Sequence, residues 1–199
     1  MRGRFAPSPT GRLHFGSLVA ALGSFADARQ QGGEWLVRIE DLDRPREVPG
    51  AADGILRTLE ALGFWWDGQV LYQSQRTQHY AEALAELRDR GLTYPCGCSR
   101  REIAKRGRPG PEGPIYPGTC RPDSAAMDPA VLPSLKTASC DRPSIGDMDP
   151  GDWHRAERLL IPALEITFED RIQGRIAQRL DEAVGDFVLR RADGLHAYQ

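Results

Sequence analysis

No run of apolar residues in these 199 residues is long enough to span a bilayer. The first residues, Met-Arg-Gly-Arg-Phe, carry no apolar stretch of the signal-peptide kind. The cytoplasm is therefore the expected location, with no membrane partner. Internal repeats and low-complexity tracts are also missing, which excludes solenoids and fibrous folds. A formal net charge of −2 removes any global basic signal for nucleic acid. A local patch is enough to contact phosphates, however. Arg100, Arg101, Lys105, Arg106 and Arg108 form one, interrupted by Glu102; its plainer reading is a solvated Arg-rich loop. What remains is ordinary for a globular chain, 40% hydrophobic and 27% charged, and long enough to bury a full core.

The richest stretch is Arg4-Phe5-Ala6-Pro7-Ser8-Pro9-Thr10-Gly11, followed by His14-Phe15-Gly16-Ser17. It reads as a strand over 2–5, a proline-stiffened loop, and a helix from about 16 to 30. Leu18, Val19, Ala21, Leu22 and Phe25 recur at helical spacing, which puts His14, Gly16 and Ser17 at the helix N-terminus. Unpaired N–H groups and the positive end of the dipole favour a phosphate there. Gly11 and Gly16 allow close backbone approach to a ligand. For His14 alone, a capped surface helix explains as much; the whole arrangement asks for more.

A Gly32-Gly33 break and a strand over 34–40 complete a βαβ unit, so the fold class is α/β with a Rossmann-like parallel sheet. A second amphipathic helix is predicted over 51–62, a short strand at 70–72, and a helix from Gln75 to Arg90 ending at Gly91. After Tyr94 the character changes to an irregular module that reaches residue 122. Residues 123–158 read as loop or partly disordered. Order returns with strands at Leu164–Phe168 and Phe187–Arg190, and Asp193-Gly194 predicts a hairpin turn into Leu195–Gln199.

Within the irregular module, Cys96-x-Cys98 precedes Tyr116-x3-Cys120. Three thiolates so spaced can converge on one zinc ion, which would supply folding energy that a core-poor segment lacks. Three free or buried cysteines are the alternative. A reducing compartment disfavours a disulfide. From chemistry alone the fourth ligand is open among Cys140, His154, water and Tyr116.

The loop and helix start at 4–17 resemble the HIGH signature region of class I aminoacyl-tRNA synthetases, in the glutamate-specific form. Arg38-Ile39-Glu40-Asp41 gives a second match. The resemblance implies a class I catalytic domain over 1–94, a zinc-binding insertion over 95–122, an irregular segment over 123–160, and a return to the catalytic domain over 161–199. Cys-x-Cys with Tyr-x3-Cys resembles a short branch of that family, the glutamyl-queuosine tRNA(Asp) synthetases. It implies Cys96, Cys98, Tyr116 and Cys120 as ligands of one structural zinc.

Such enzymes activate L-glutamate with ATP and pass it to queuosine in the anticodon of tRNA(Asp). The resemblance therefore implies ATP, glutamate and queuosine-bearing tRNA(Asp) as partners, with Mg²⁺ accompanying ATP, and a monomer is expected. Thr10, His14, Gly16 and Ser17 are assigned to ATP, the last three with the catalytic role. Arg4, Phe5, Ala6, Pro7, Ser8, Glu40 and Tyr198 are assigned to glutamate. Arg4 offers a fork for its carboxylate and Glu40 an acceptor for its ammonium, although a salt bridge between strands would use the same two residues. Arg38, Asp41 and Asp43 read as structural charges.

Lys105 and Lys136 are the only lysines, and no Lys-x-Ser-Lys pattern of the KMSKS type is present. The chain stops at Tyr198-Gln199, inside a strand that such enzymes continue, so a C-terminally incomplete domain is expected. This predicts weak or absent pyrophosphate exchange by the chain alone. Two competing readings follow: the N-terminal piece of a standard glutamyl-tRNA synthetase, or a non-catalytic nucleotide- and tRNA-binding remnant. A nucleotidyltransferase acting on a small cofactor shares the histidine chemistry but leaves the Arg-Ile-Glu-Asp strand and the cysteines unexplained.

Overall fold

A computed structural model of the chain describes residues 1–111, 113–122 and 155–197. These residues divide into two compact units, 1–79 and 80–199.

The first unit is the expected βαβ arrangement. Strand β1 (Arg2–Phe5) leads through the proline loop to helix α1 (Phe15–Gln30) and strand β2 (Glu34–Ile39). Helix α2 (Ala51–Ala61) and the short strand β3 (Leu71–Tyr72) follow. The sheet order is β1-β2-β3 and both pairings are parallel. Trp35 is the centre of the core: fully buried, stacked on Phe5, and met edge-on by Phe25. Its indole N–H donates to Ser24 Oγ at 2.9 Å, so its one polar atom is satisfied. Ile55 and Leu59 of α2 join this core, as their spacing predicts, whereas Leu62 lies past the helix end and is exposed. On α1 the buried positions are Ala21 and Ala28, with Phe25 packed against the cluster; Phe15, Val19 and Leu22 are exposed.

Helix α3 (Thr77–Asp89) begins after a 3-10 turn at Gln73–Arg76, and Gly91 follows it at a φ of +66°. In the second unit, strand β4 (Thr93–Cys96) leads to helix α4 (Arg100–Arg106). The short pair β5 (Pro109–Gly110) and β6 (Gly113–Pro114) comes next. Then come β7 (Ala156–Leu159), β8 (Glu165–Asp170), β9 (Gly174–Arg179), the single turn α5 (Leu180–Ala183) and β10 (Val188–Arg190). β7 lies between β10 and β4, antiparallel to both, and β8 pairs with β9 as a separate hairpin.

Two expectations are corrected here. The module from 95 to 122 is not irregular throughout. Ser99 and Glu102 form a reciprocal capping box that starts α4, and Ile103 packs on the cysteine cluster. The loop expected to run to residue 158 gives way to β7 at Ala156, a strand whose buried positions are Glu157 and Arg158. The rest of that expectation, from Ser124 to Trp153, lies outside the described residues. The turn at Asp193-Gly194 forms as expected, closing an antiparallel bridge between Arg190 and His196. No helix among the described residues is long and apolar enough to cross a membrane.

Candidate active site and metal centre

The proline loop is fastened at several points by backbone hydrogen bonds. Glu40 N–H donates to the Pro7 carbonyl at 3.0 Å, Val48 N–H to Pro9 at 2.9 Å, and Thr10 N–H to Ser8 at 2.9 Å. The loop therefore holds its shape between the end of β1 and the mouth of α1. There His14 is the N-cap: its Nδ1 accepts from Ser17 N–H at 3.2 Å, and its Nε2 lies 3.2 Å from Ser17 Oγ. Gly16 makes room for this ring. A Cβ at Gly16 would sit 3.1 Å from His14 Cε1 and 3.2 Å from Nδ1, closer than packed side chains normally come.

Loop and helix mouth enclose a cavity of about 490 Å³, within the range of small-molecule sites. Every residue expected at the phosphates, Thr10, His14, Gly16 and Ser17, lines it. So do Phe5, Ala6, Pro7 and Ser8 from the glutamate set. Arg4 and Glu40 do not. Arg4 is exposed and makes no ion pair among the described residues, while the Glu40 carboxylate accepts from Arg38 at 2.6 Å. The salt bridge between Arg4 and Glu40 therefore does not form. Asp41 is structural as expected, accepting from the Ser74 N–H at 2.8 Å and Oγ at 2.6 Å. Tyr198 lies outside the described residues. Arg12 also faces the cavity, a cation that sequence reasoning passed over because nothing in the local pattern marks it.

In the second unit the sulfurs of Cys96, Cys98 and Cys120 lie within 4.8 Å of one another, and this cluster could hold a metal ion. The Tyr116 hydroxyl joins them, 3.4 Å from Cys96 Sγ and 3.7 Å from Cys98 Sγ, and it accepts from Cys120 N–H at 2.7 Å. Cys98 and Cys120 sulfurs stand 3.6 Å apart with no disulfide. Burial pushes the Cys96 thiol up, but its interactions with Tyr116 and Arg158 outweigh it and bring it down to about 7. Burial and the hydrogen bond to Cys96 push the Tyr116 phenol up. The arrangement thus makes the Cys96 thiol easier to ionise. Cys140 and His154, the other ligand candidates, lie outside the described residues.

The family description "tRNA synthetases class I (E and Q), catalytic domain" matches residues 1–123. The chain belongs to this family. Among curated proteins it is 58% identical over 200 residues to the glutamyl-Q tRNA(Asp) synthetase of Dechloromonas aromatica (strain RCB), covering 100% of this chain and 58% of that protein. It is 52% identical over 198 residues to the glutamyl-Q tRNA(Asp) synthetase of Chromobacterium violaceum, again covering 100% of this chain and 58% of the relative. The chain thus spans less than two thirds of the length of these relatives. Among solved structures, a glutamate tRNA ligase from Elizabethkingia meningosepticum in complex with its amino acid superposes with a TM-score of 0.67 at 24% identity. It covers 100% of this chain and 40% of that one, and establishes the class I synthetase fold. The α/β fold class expected from the sequence is borne out.

Proposed function

We propose that this chain supplies the ATP- and glutamate-binding part of an enzyme that activates glutamate and transfers it to queuosine in the anticodon of tRNA(Asp). One observation carries the reading: a single cavity collects Ser8, Thr10, His14 and Ser17 at the amino end of α1. The names of the relatives, at 58% and 52% identity, supply the substrate class. In this reading residues 1–94 and 161–199 belong to the catalytic domain, and 95–122 are its metal module.

Adenylate formation is a substitution at the α-phosphorus by the glutamate carboxylate, with pyrophosphate leaving. Little is asked of the protein beyond positioning and charge stabilisation. His14 and Ser17 donate to the phosphates, and the unpaired N–H groups of the first turn of α1 add to them. Gly16 lets the phosphates approach the backbone. Mg²⁺ bound with ATP would neutralise phosphate charge. Phe5 to Ser8 wall the glutamate side; Arg4 and Glu40, which lie outside the cavity lining, would supply the carboxylate fork and the ammonium acceptor, and Tyr198 a further glutamate contact.

The cysteine cluster is read as a structural zinc site. A tetrahedral zinc with bonds of about 2.3 Å to sulfur sets its sulfurs about 3.8 Å apart, with an oxygen ligand about 3.5 Å from each. The Cys98–Cys120 separation of 3.6 Å and the Tyr116 oxygen distances of 3.4 and 3.7 Å fit that geometry. Cys96, Cys98, Cys120 and Tyr116 would hold the ion, which would tie β4 to the loop ending at Cys120. A bound zinc would also lower the phenol's pKa, against the rise that burial imposes.

Two assays test the reading together: ATP and glutamate binding by calorimetry, and transfer of labelled glutamate to tRNA(Asp) with and without queuosine. Label attached only to the queuosine-bearing tRNA supports it. Label on tRNA lacking queuosine points instead to ordinary charging of the 3′ end. ATP binding that is absent, or unchanged by His14→Ala and Ser17→Ala, overturns it.

A further inference from the structure

Arg158 is 6% exposed, lies on β7 opposite Tyr94 of β4, and has no carboxylate partner among the described residues. Its guanidinium carbon stands 3.8 Å above the centre of the Tyr116 ring. One terminal nitrogen donates to the backbone carbonyl of Asp186 at 2.6 Å, and Nε has no hydrogen-bond partner. The neighbouring Asp186 carboxylate does not neutralise it. That carboxylate is taken by Arg121, by Ile161 N–H at 2.8 Å and by the Tyr94 hydroxyl at 2.6 Å. A buried cation without a counter-charge is expensive and calls for an anion.

The anion is beside it. A divalent ion held by three thiolates carries one surplus negative charge, and two once the phenol ionises. We infer that Arg158 is the counter-cation and positioning residue of the Cys96–Cys98–Cys120–Tyr116 centre, holding the Tyr116 ring over the sulfurs and balancing the charge of the loaded site. The guanidinium suits both tasks: it lies over the Tyr116 ring, and its charge acts on the Cys96 sulfur. Outer-shell partners of this kind typically change metal affinity by about ten- to a hundredfold. The inference rests on the metal reading above, and the experiment separates the two.

The full chain is stripped of metal, and zinc affinity is measured by competition with a chromogenic chelator. Cobalt spectra record the thiolate charge-transfer and ligand-field bands. Wild type is compared with Arg158→Gln and Arg158→Lys. The glutamine protein is expected to lose about tenfold or more in zinc affinity with shifted cobalt bands, and the lysine protein to stay within about threefold of wild type. The zinc-induced rise in urea midpoint should shrink for Arg158→Gln; a merely structural arginine would lower the midpoints with and without zinc alike. If the glutamine protein does not fold even in sucrose, the lysine protein decides. Near-wild-type affinity there supports the inference, and a loss of tenfold or more overturns it. An Arg158→Gln protein that folds and binds zinc within about twofold of wild type also overturns it. Wild type that binds neither metal sinks the metal reading itself, and the inference with it.

Discussion

Ser17 holds the His14 ring at both nitrogens, with its backbone N–H 3.2 Å from Nδ1 and its hydroxyl 3.2 Å from Nε2. A phosphate arriving at the mouth of α1 therefore meets a ring already oriented. Gly16→Ala tests this without deleting a donor, because the added methyl would press on the ring from 3.1 Å. Loss of one charge-assisted hydrogen bond is worth about 1.5–3 kcal/mol, so ATP affinity should fall by about ten- to a hundredfold in His14→Ala. Gly16→Ala should fall in the same direction by less. Calorimetric titration measures both, and equal affinity in all three proteins would separate this corner from ATP.

Cys120→Ser removes one sulfur from the cluster and leaves the Tyr116 contact through Cys120 N–H in place. Zinc content, measured by elemental analysis, should fall from about one ion per chain to well below it. Chelator treatment of wild type should lower the melting temperature, and the same treatment should barely move Cys120→Ser. A wild type whose melting is indifferent to the chelator contradicts a structural metal.

How much of this was legible beforehand differs by region, and the reason is physical. The first unit could be read because its signals are local. Prolines and glycines punctuate it, Ile55 and Leu59 recur at helical spacing, and its strands β1 and β2 are joined by the helix between them. The cavity residues were legible for the same reason, since Ser8, Thr10, His14 and Ser17 sit within one loop and helix start. β7 was hidden because its buried positions are charged. Glu157 and Arg158 read as surface residues until β4, far away in the chain, pairs with them. No spacing rule could have marked Arg158 as the neighbour of Tyr116. Helix α4 did carry a signal, the Ser-x-x-Glu capping box, which the surrounding glycines and prolines obscured.

Asp67 links the acid stability of the first unit to its core. Its carboxylate accepts from the Trp35 backbone N–H at 2.8 Å and pairs with Arg29 at 2.7 Å, which together hold it below the usual carboxylate range. A lowered folded-state pKa means stabilisation that is complete above the unfolded value, about 3.9, and lost as pH falls through the folded one. Urea midpoints of wild type should therefore decline on acidification through and below about pH 4, and Asp67→Asn should decline less steeply there. Tryptophan fluorescence, to which the buried Trp35 contributes, follows the transition. Parallel pH profiles for the two proteins would remove Asp67 from the account.

The Glu157 carboxylate on β7 receives both Arg88 nitrogens from α3, the Thr93 hydroxyl at 2.8 Å, and Arg190 Nε at 3.8 Å from β10. Removing one member of a buried ion pair strands the other, so Glu157→Ala should cost about 3 kcal/mol in urea unfolding. Glu157→Gln should cost less, because its amide oxygen can still accept from Thr93. Removing Arg88 as well, in Arg88→Met with Glu157→Leu, takes both charges out together. An isolated pair replaced this way would return close to wild-type stability. The double variant should not return fully, because it also removes the 3.8 Å contact between Glu157 and Arg190. The expected order is wild type, then the double variant, then Glu157→Ala. A double variant no more stable than Glu157→Ala would show that Arg190, rather than Arg88, is the partner that matters.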